Sequence, residues 1–399
     1  MVENEAIPFV DLGAQQKEIF SKIEERIFKV LSHGQYIMGP EIDELEEELA
    51  NFAGVKHAIT CSSGTDAVLM ALMAYRIGPG DVVFTTPFTF IATAEVIALL
   101  GAIPVFVDII PHTFNIDPSR LELAIEAFNK EDPNIYPLPR ALYRQHLKGR
   151  PEKSNKGIIA VDLFGLPADY DRINALAKNE GLFVIGDAAQ SFGATFKGEK
   201  VGTLTDVTAT SFFPAKPLGC YGDGGAVLTD DDDLSATIRS IRLHGKGKEK
   251  YDNVRIGING RLDTLQAAIL LEKLKIFPWE VERRNLVAQQ YSENLKNIVE
   301  IPFVPEEFMS VWAQYSIMSD QKESLQDALK KAGIPTAVYY PKPLHLQTAF
   351  SYLGYKEGDF PNSEKISKRI FSLPMHPYLK EDQIKRIALV ISKTANSHK

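Results

Sequence analysis

Short apolar, β-branched runs alternating with helix-period segments constrain this chain more than any other feature of its sequence. The runs lie at 82–86, 103–109, 157–163, 182–185, 208–212 and 226–229. Between them, 65–75, 93–100, 119–128 and 170–179 read as helices. Strands that are apolar throughout are buried on both faces. Strands that alternate with helices predict an α/β fold with a mostly parallel central sheet, covered on both sides. Ligands of such sheets lie beyond the carboxyl ends of the strands, so the loops that follow the runs are the place to look for chemistry.

Ahead of this pattern, 12–31 reads as an amphipathic helix with Ile19, Ile23, Ile27 and Val30 on one face. A second helix at 41–52 turns Ile42, Leu45, Leu49 and Phe52 inward. From Asn259 the character shifts to helices at 262–276 and 281–295. A smaller α+β portion follows, with helices at 324–331, 363–371 and 383–393 and a strand at 336–340. The chain therefore divides into a large portion, 1–258, and connecting helices with a small C-terminal portion, 259–399. The charged, Pro-containing stretch 129–156 reads as an excursion between two strands.

Several functions are disfavoured. The formal net charge of −8 offers no general basic surface to nucleic acid or anionic lipid. The run from His244 to Lys248 reads as a solvated loop. Two cysteines, Cys61 and Cys220, cannot build a disulfide framework or a four-thiolate metal site. No His-Glu-x-x-His pattern occurs, so no metal is expected. The longest apolar region, 91–110, is interrupted by Glu95, Pro104 and Asp108, against a membrane span. With no signal-peptide pattern at Met-Val-Glu-Asn-Glu, the expected setting is the cytoplasm.

Three loops carry candidate chemistry. Ser62-Ser63-Gly64-Thr65-Asp66 opens a helix, and the free amides there suit a phosphate; a plain N-cap reads the same way. Asp187 and Gln190 follow a buried strand, where a carboxylate needs a cation, a metal or a protonated ring nitrogen; a structural cap is the alternative. Ser211-Phe212-Phe213-Pro214-Ala215-Lys216 leads into a Gly-rich turn. A lysine there becomes a nucleophile if desolvation lowers its pKa, although most lysines are simply solvated. Together the three are more specific than any one. Pyridoxal phosphate (PLP) requires a lysine for its Schiff base, an acid facing the pyridine nitrogen and a phosphate cup, and Lys216 follows Asp187 by 29 positions.

The chain at this point resembles the DegT/DnrJ/EryC1/StrS family of sugar aminotransferases, which have the aspartate-aminotransferase (type I PLP) fold. The resemblance runs from Phe9-Val10-Asp11-Leu12 and Gly39-Pro40-Glu41 through the loops above. It continues at Gly257-Ile258-Asn259-Gly260-Arg261-Leu262-Asp263 and Leu265-Gln266-Ala267-Ala268, and ends at Tyr340-Pro341-Lys342-Pro343-Leu344-His345 and Leu373-Pro374-Met375-His376-Pro377.

The resemblance implies that Lys216 holds PLP covalently and that Asp187 keeps its ring nitrogen protonated. It implies that Gln190 lies near the ring oxygen, and that Ser63, Gly64, Thr65 and Ser211 hold the phosphate. Phe90 would stack on the ring, and Asn259 would reach the phosphate of a neighbouring subunit, making a homodimer with shared active sites. The implied reaction moves an amino group from L-glutamate to a keto-sugar nucleotide in cell-surface polysaccharide synthesis. The Ser-Phe-Phe-Pro-Ala-Lys segment is most similar to enzymes that aminate a UDP-linked 3-keto-N-acetylglucosaminuronate, with a 4-keto acceptor as the alternative. Tyr36, Arg261, Tyr340 and His345 are the candidate acceptor contacts. A dehydratase of the same family would carry histidine in place of Lys216, and a non-catalytic binding or regulatory protein of this fold is the rival of another class.

Overall fold

The computed structural model describes residues 6–140, 142, 154–249 and 251–396. Two helices come first, α1 (Leu12–His33) and α2 (Pro40–Ala53). Asp11 caps α1 by accepting from the Ala14 amide at 2.8 Å. Pro40 opens α2, where its missing N–H has no helical partner to lose. Both helices end on left-handed glycines, Gly34 and Gly54, with φ of 70° and 77°.

The central sheet has seven strands. In chain order the strands are β1 (His57–Cys61), β2 (Asp81–Thr85), β3 (Ile103–Phe106), β4 (Ser154–Val161), β5 (Phe183–Asp187), the small β6 (Thr195–Phe196) and β7 (Glu199–Lys200), β8 (Val207–Ser211) and β9 (Gly225–Thr229). The spatial order is β1-β9-β8-β5-β4-β2-β3, with β6 and β7 outside it. Strands β8, β5, β4, β2 and β3 run parallel to one another. Strand β9 is antiparallel to both β8 and β1. The type I α/β sheet is thus mostly parallel, and β1 is the strand the apolar runs did not announce.

Helices α3 (Gly64–Ala74), α4 (Ala92–Leu99), α5 (Pro118–Lys130), α6 (Tyr170–Glu180) and α7 (Asp232–Arg242) follow strands. The sheet explains why the runs were continuous. Val83, Ile159 and Ile185 face a core under α3 and α7. Their neighbours Val82, Phe84, Ile158 and Val184 face another under α5 and α6. Each such side chain, fully withdrawn from water, contributes roughly 1.5–3 kcal/mol.

Two expectations give way. The helices read at 262–276 and 281–295 are one helix, α8 (Thr264–Leu295), with Pro278 inside it. Proline lacks an amide donor and normally breaks a helix; here both flanks stay helical because Phe277 and Val281 are buried against α2 and the sheet. The segment read as a strand at 336–340 makes only a single bridge, Ala337 to Ser372. The strands of that region are β11 (Tyr315–Met318) and β12 (Ile370–Leu373), paired antiparallel, after the short β10 (Phe308–Met309) beside β6.

Helices α9 (Lys322–Lys331), α10 (Pro361–Arg369) and α11 (Glu381–Asn396) complete the chain. Tyr291, Tyr315, Leu325, Phe371 and Ile384 form their core, joined by Ile7 from the other end of the chain. Leu344, Phe350 and Phe360 pack instead into the core under the sheet. Of the excursion read at 129–156, α5 takes the first two residues, and 141 and 143–153 lie outside the described residues. No described helix is long and apolar enough to cross a membrane.

Candidate active site

Because β8, β5, β4, β2 and β1 share one direction, their carboxyl ends share one edge of the sheet. The loops after Cys61, Thr85, Val161, Asp187 and Ser211 therefore open on the same side. Strand β9 runs the other way, so β8 and β9 form a hairpin whose connection, 212–224, also lies on that side. The three loops singled out in the sequence converge there.

Asp187 ends β5 and is 7% exposed. Its Oδ2 accepts from Thr93 Oγ1 at 2.7 Å, and its Oδ1 from the Ala189 amide at 3.2 Å. Burial pushes its carboxyl up from the usual range, against these hydrogen bonds and the nearby Lys216. Burial conversely pulls the Lys216 amine below its ordinary value, with Asp187 opposing. Among the described residues the Lys216 amine makes no hydrogen bond. A carboxylate short of positive charge and an uncommitted amine thus face one space.

The small-residue loop lies beside them. Ser63 caps α3, its Oγ accepting from the Asp66 amide at 3.1 Å, which leaves the Gly64 and Thr65 amides without helical partners. A Cβ on Gly64 would lie 2.6 Å from Ser211 Cβ, and one on Gly225 would lie 2.5 Å from the Ser63 carbonyl oxygen. Glycine at both positions lets the α3 entrance close on the end of the β8–β9 hairpin. The result is a cradle of backbone amides and serine hydroxyls at a positive helix end.

Gln190 is fixed on both sides. Its Oε1 accepts from the Phe164 amide at 2.7 Å, and its Nε2 donates to the Tyr340 hydroxyl at 3.3 Å. Tyr340 meets Phe88 edge-on. Phe90, two residues on, is 56% exposed and offers an open ring face.

The Ser62 amide donates to the Gly260 carbonyl at 3.1 Å, which brings the 258–261 segment to the cradle. Asn259 is exposed there. Arg261 is half-buried, and its Nε has no hydrogen-bond partner among the described residues. Tyr36, 47% exposed, lies close by, because its carbonyl accepts from the Thr264 amide and Ile37 bridges Asp263.

His345 is not brought into this cluster. Its ring is buried against Phe360, and its Nε2 pairs with Glu364 at 3.0 Å. Pro343 sets a tight turn that drives the ring into the core, which a sequence pattern does not reveal.

Two side chains escaped the sequence reading. Thr93 sits at the start of a helix, where a threonine draws no notice. Asp162 falls at the end of an apolar run that was read as strand to 163. It is fully buried, and its Oδ1 accepts from Tyr170 Oη and the Ala168 amide and its Oδ2 from Ser191 Oγ. Its own amide donates to the Asp187 carbonyl at 3.1 Å. The repeat of an acid at the ends of both β4 and β5 was the available signal.

These groups fit pyridoxal phosphate: an uncommitted, half-buried amine, a desolvated carboxylate for a protonated ring nitrogen, and an amide cradle for phosphate. Residues 17–392 match the DegT/DnrJ/EryC1/StrS aminotransferase family. The chain is 48% identical, over 97% of its length and 99% of the relative's, to the UDP-2-acetamido-2-deoxy-3-oxo-D-glucuronate aminotransferase of Pseudomonas aeruginosa. It is 42% identical to a pleiotropic regulatory protein of Geobacillus stearothermophilus, over 94% and 95% of the two chains. It is 39% identical to the UDP-N-acetyl-3-dehydro-α-D-glucosamine 3-aminotransferase of Acidithiobacillus ferrooxidans, over 99% of each. A crystal structure of a family aminotransferase from Brucella abortus superposes with a TM-score of 0.90 at 50% identity, covering 96% of this chain and 98% of that one. NtdA of Bacillus subtilis, with bound cofactor PMP, the amino form of PLP, superposes at 0.83 with 28% identity, covering 95% and 82%.

Proposed function

The chain belongs to the DegT/DnrJ/EryC1/StrS aminotransferase family, and from that premise we propose that it transfers the amino group of L-glutamate to the 3-keto carbon of a UDP-linked N-acetylglucosaminuronate. Its cofactor is pyridoxal phosphate. The observation that carries the reading is the uncommitted Lys216 amine facing the buried Asp187 carboxylate beside an amide cradle.

When bound, pyridoxal phosphate supplies a carbonyl carbon for amines and a ring that accepts a carbanion's electrons. Lys216 would hold that carbon, and its Nζ, when not bound there, would be the group placed to move a proton at the donor's α-carbon. Asp187, held by Thr93 and the Ala189 amide, keeps the proton on the ring nitrogen. Ser63, Gly64, Thr65 and Ser211 bind the phosphate, Gln190 orients the ring oxygen, and Phe90 covers the ring face.

Asn259 serves the site of a second copy, so the working unit is a homodimer. The exposed Phe20, Phe28, Tyr251 and Ile256 support such an interface. Residues 1–258 form the cofactor-binding unit and 259–399 the connecting helices and the small unit; the core shared by α9, α11 and the β11–β12 pair supports a second unit. Two unpaired, buried cysteines suit the cytoplasm.

Two relatives named for 3-oxo and 3-dehydro UDP-sugars support the keto position. The Arg261 Nε, unpartnered among the described residues, supports an acceptor carboxylate, with Tyr36 and Tyr340 as further acceptor contacts. An Arg261→Met variant is expected to lose the preference for the uronate over the matching UDP-sugar without a carboxylate. Equal use of both sugars by the wild-type enzyme would remove that assignment.

The relative named as a regulatory protein favours a second reading, a non-catalytic protein of this fold. One experiment separates the two. The protein mixed with PLP is expected to show a visible Schiff-base band that L-glutamate bleaches, and Lys216→Arg, which lacks the amine, to form no such band. A band indifferent to glutamate would favour the regulatory reading.

A further inference from the structure

Lys273 lies on α8, outside the loops that make the site, and is 0% exposed. Its helical neighbours Leu270, Leu271, Leu274 and Phe277 are buried and apolar, so a leucine or methionine would suit the position. An ammonium buried without a carboxylate partner is costly. Among the described residues Lys273 has no ion pair. Its Nζ donates to the Gly219 carbonyl at 2.6 Å and lies 4.1 Å from the centre of the Tyr221 ring. Burial lowers its pKa to about 8, with Glu280 and Cys220 opposing.

The Gly219 contact falls on the lobe that carries Lys216, and the Tyr221 ring stands just past its neck. The neck of the lobe is closed by the Cys220 amide donating to the Phe212 carbonyl at 2.8 Å. Inside it, the Lys216 amide donates to the Phe213 carbonyl at 2.9 Å. Gly219 is pressed against the carbonyls of Phe213 and Pro214, where an added Cβ would stand 2.6 Å from each oxygen. A pull on the Gly219 carbonyl therefore sets the turn from which Lys216 projects. About two helical turns away on α8, Gln266 holds Tyr221, its Oε1 accepting from the Tyr221 amide at 2.9 Å.

We propose that Lys273 is a positioning residue for the transamination: its ammonium, clamped between the Gly219 carbonyl and the Tyr221 ring, fixes the 212–220 lobe and so aims Lys216. The proposal rests on Lys216 being the residue that holds pyridoxal phosphate.

The test uses full-length Lys273→Met and Lys273→Arg. In Lys273→Met, amide hydrogen exchange across 212–222 is expected to speed at least tenfold, while the strands of the central sheet keep their protection. Capture of added PLP, followed by the visible band, should slow at least tenfold, and the circular dichroism of that band, which reports how the ring is held, should change. Lys273→Arg, which keeps the charge and its donors, should restore most of all three. Unchanged exchange, capture and dichroism in Lys273→Met would overturn the proposal, as would loosening spread evenly over the chain. Should Lys273→Met fail to fold, Tyr221→Leu removes the ring face alone, and a wild-type response in it overturns the proposal equally. If wild-type protein forms no band with PLP, the cofactor role of Lys216 falls and this inference with it. A normal wild-type band with an indifferent Lys273→Met refutes only the role of Lys273.

Discussion

The Thr93 hydroxyl stands between Asp187 and the effect of its own burial. It is the one side chain that hydrogen-bonds the carboxylate among the described residues. Losing a hydrogen bond to a charged group costs about 1.5–3 kcal/mol, and about 1.4 kcal/mol is a factor of ten in affinity. Thr93→Val is therefore expected to weaken PLP binding roughly 10- to 100-fold, while Thr93→Ser stays near wild type; titration of the visible band measures both. Asp187 and Lys216 were legible in the sequence because few arrangements need an acid and an amine at successive strand ends. Thr93 was not, since its partner lies 94 positions away and only the folded chain joins them.

At the scale of elements, the apolar runs located six strands of the central sheet because burial on both faces leaves a continuous signature. They missed β1, whose His57-Ala58-Ile59-Thr60-Cys61 is short and mixed in character. They also divided α8 at Pro278, where packing outweighs the local break. Helix α10 shows a third limit. Its N-cap residue, Phe360, offers no side-chain cap. The cap comes from Asp108, after β3, which accepts from the Asn362 and Ser363 amides at 2.9 and 3.0 Å and from Ser363 Oγ at 2.6 Å. An acid 254 positions away cannot be read as a helix cap. Asp108→Ala leaves these buried donors unpaired and is expected to cost about 2–4 kcal/mol, seen as a lower melting temperature with the PLP band intact.

The whole molecule carries two buried groups whose acid responses have opposite signs. His376, 2% exposed, lies near the N-terminal segment, within reach of the Asp11 and Arg284 charges. Burial lowers its pKa to about 4. The unfolded chain takes up this proton near 6.5 and the folded chain does not, so stability falls as pH drops from 6.5 towards 4, by on the order of 2 kcal/mol at pH 5. Burial raises Asp162 to about 7. There the folded chain binds the proton first, and stability rises as pH falls from 7 towards 3.8. His376→Phe should therefore gain urea resistance on going from pH 7 to pH 5 relative to wild type, and Asp162→Asn should lose it. Parallel responses in the two variants would contradict this assignment.

The β8–β9 hairpin has a further consequence. Most connections between the parallel strands, such as β2 to β3 and β4 to β5, include helices of the core, so altering one of those connections disturbs packing on a whole face. The strand pair that carries Lys216 is instead joined directly, by 212–224, with no helix between. Substitutions and length changes there leave every crossover in place. In a lineage under selection, the reactive residue can vary while the scaffold is inherited unchanged.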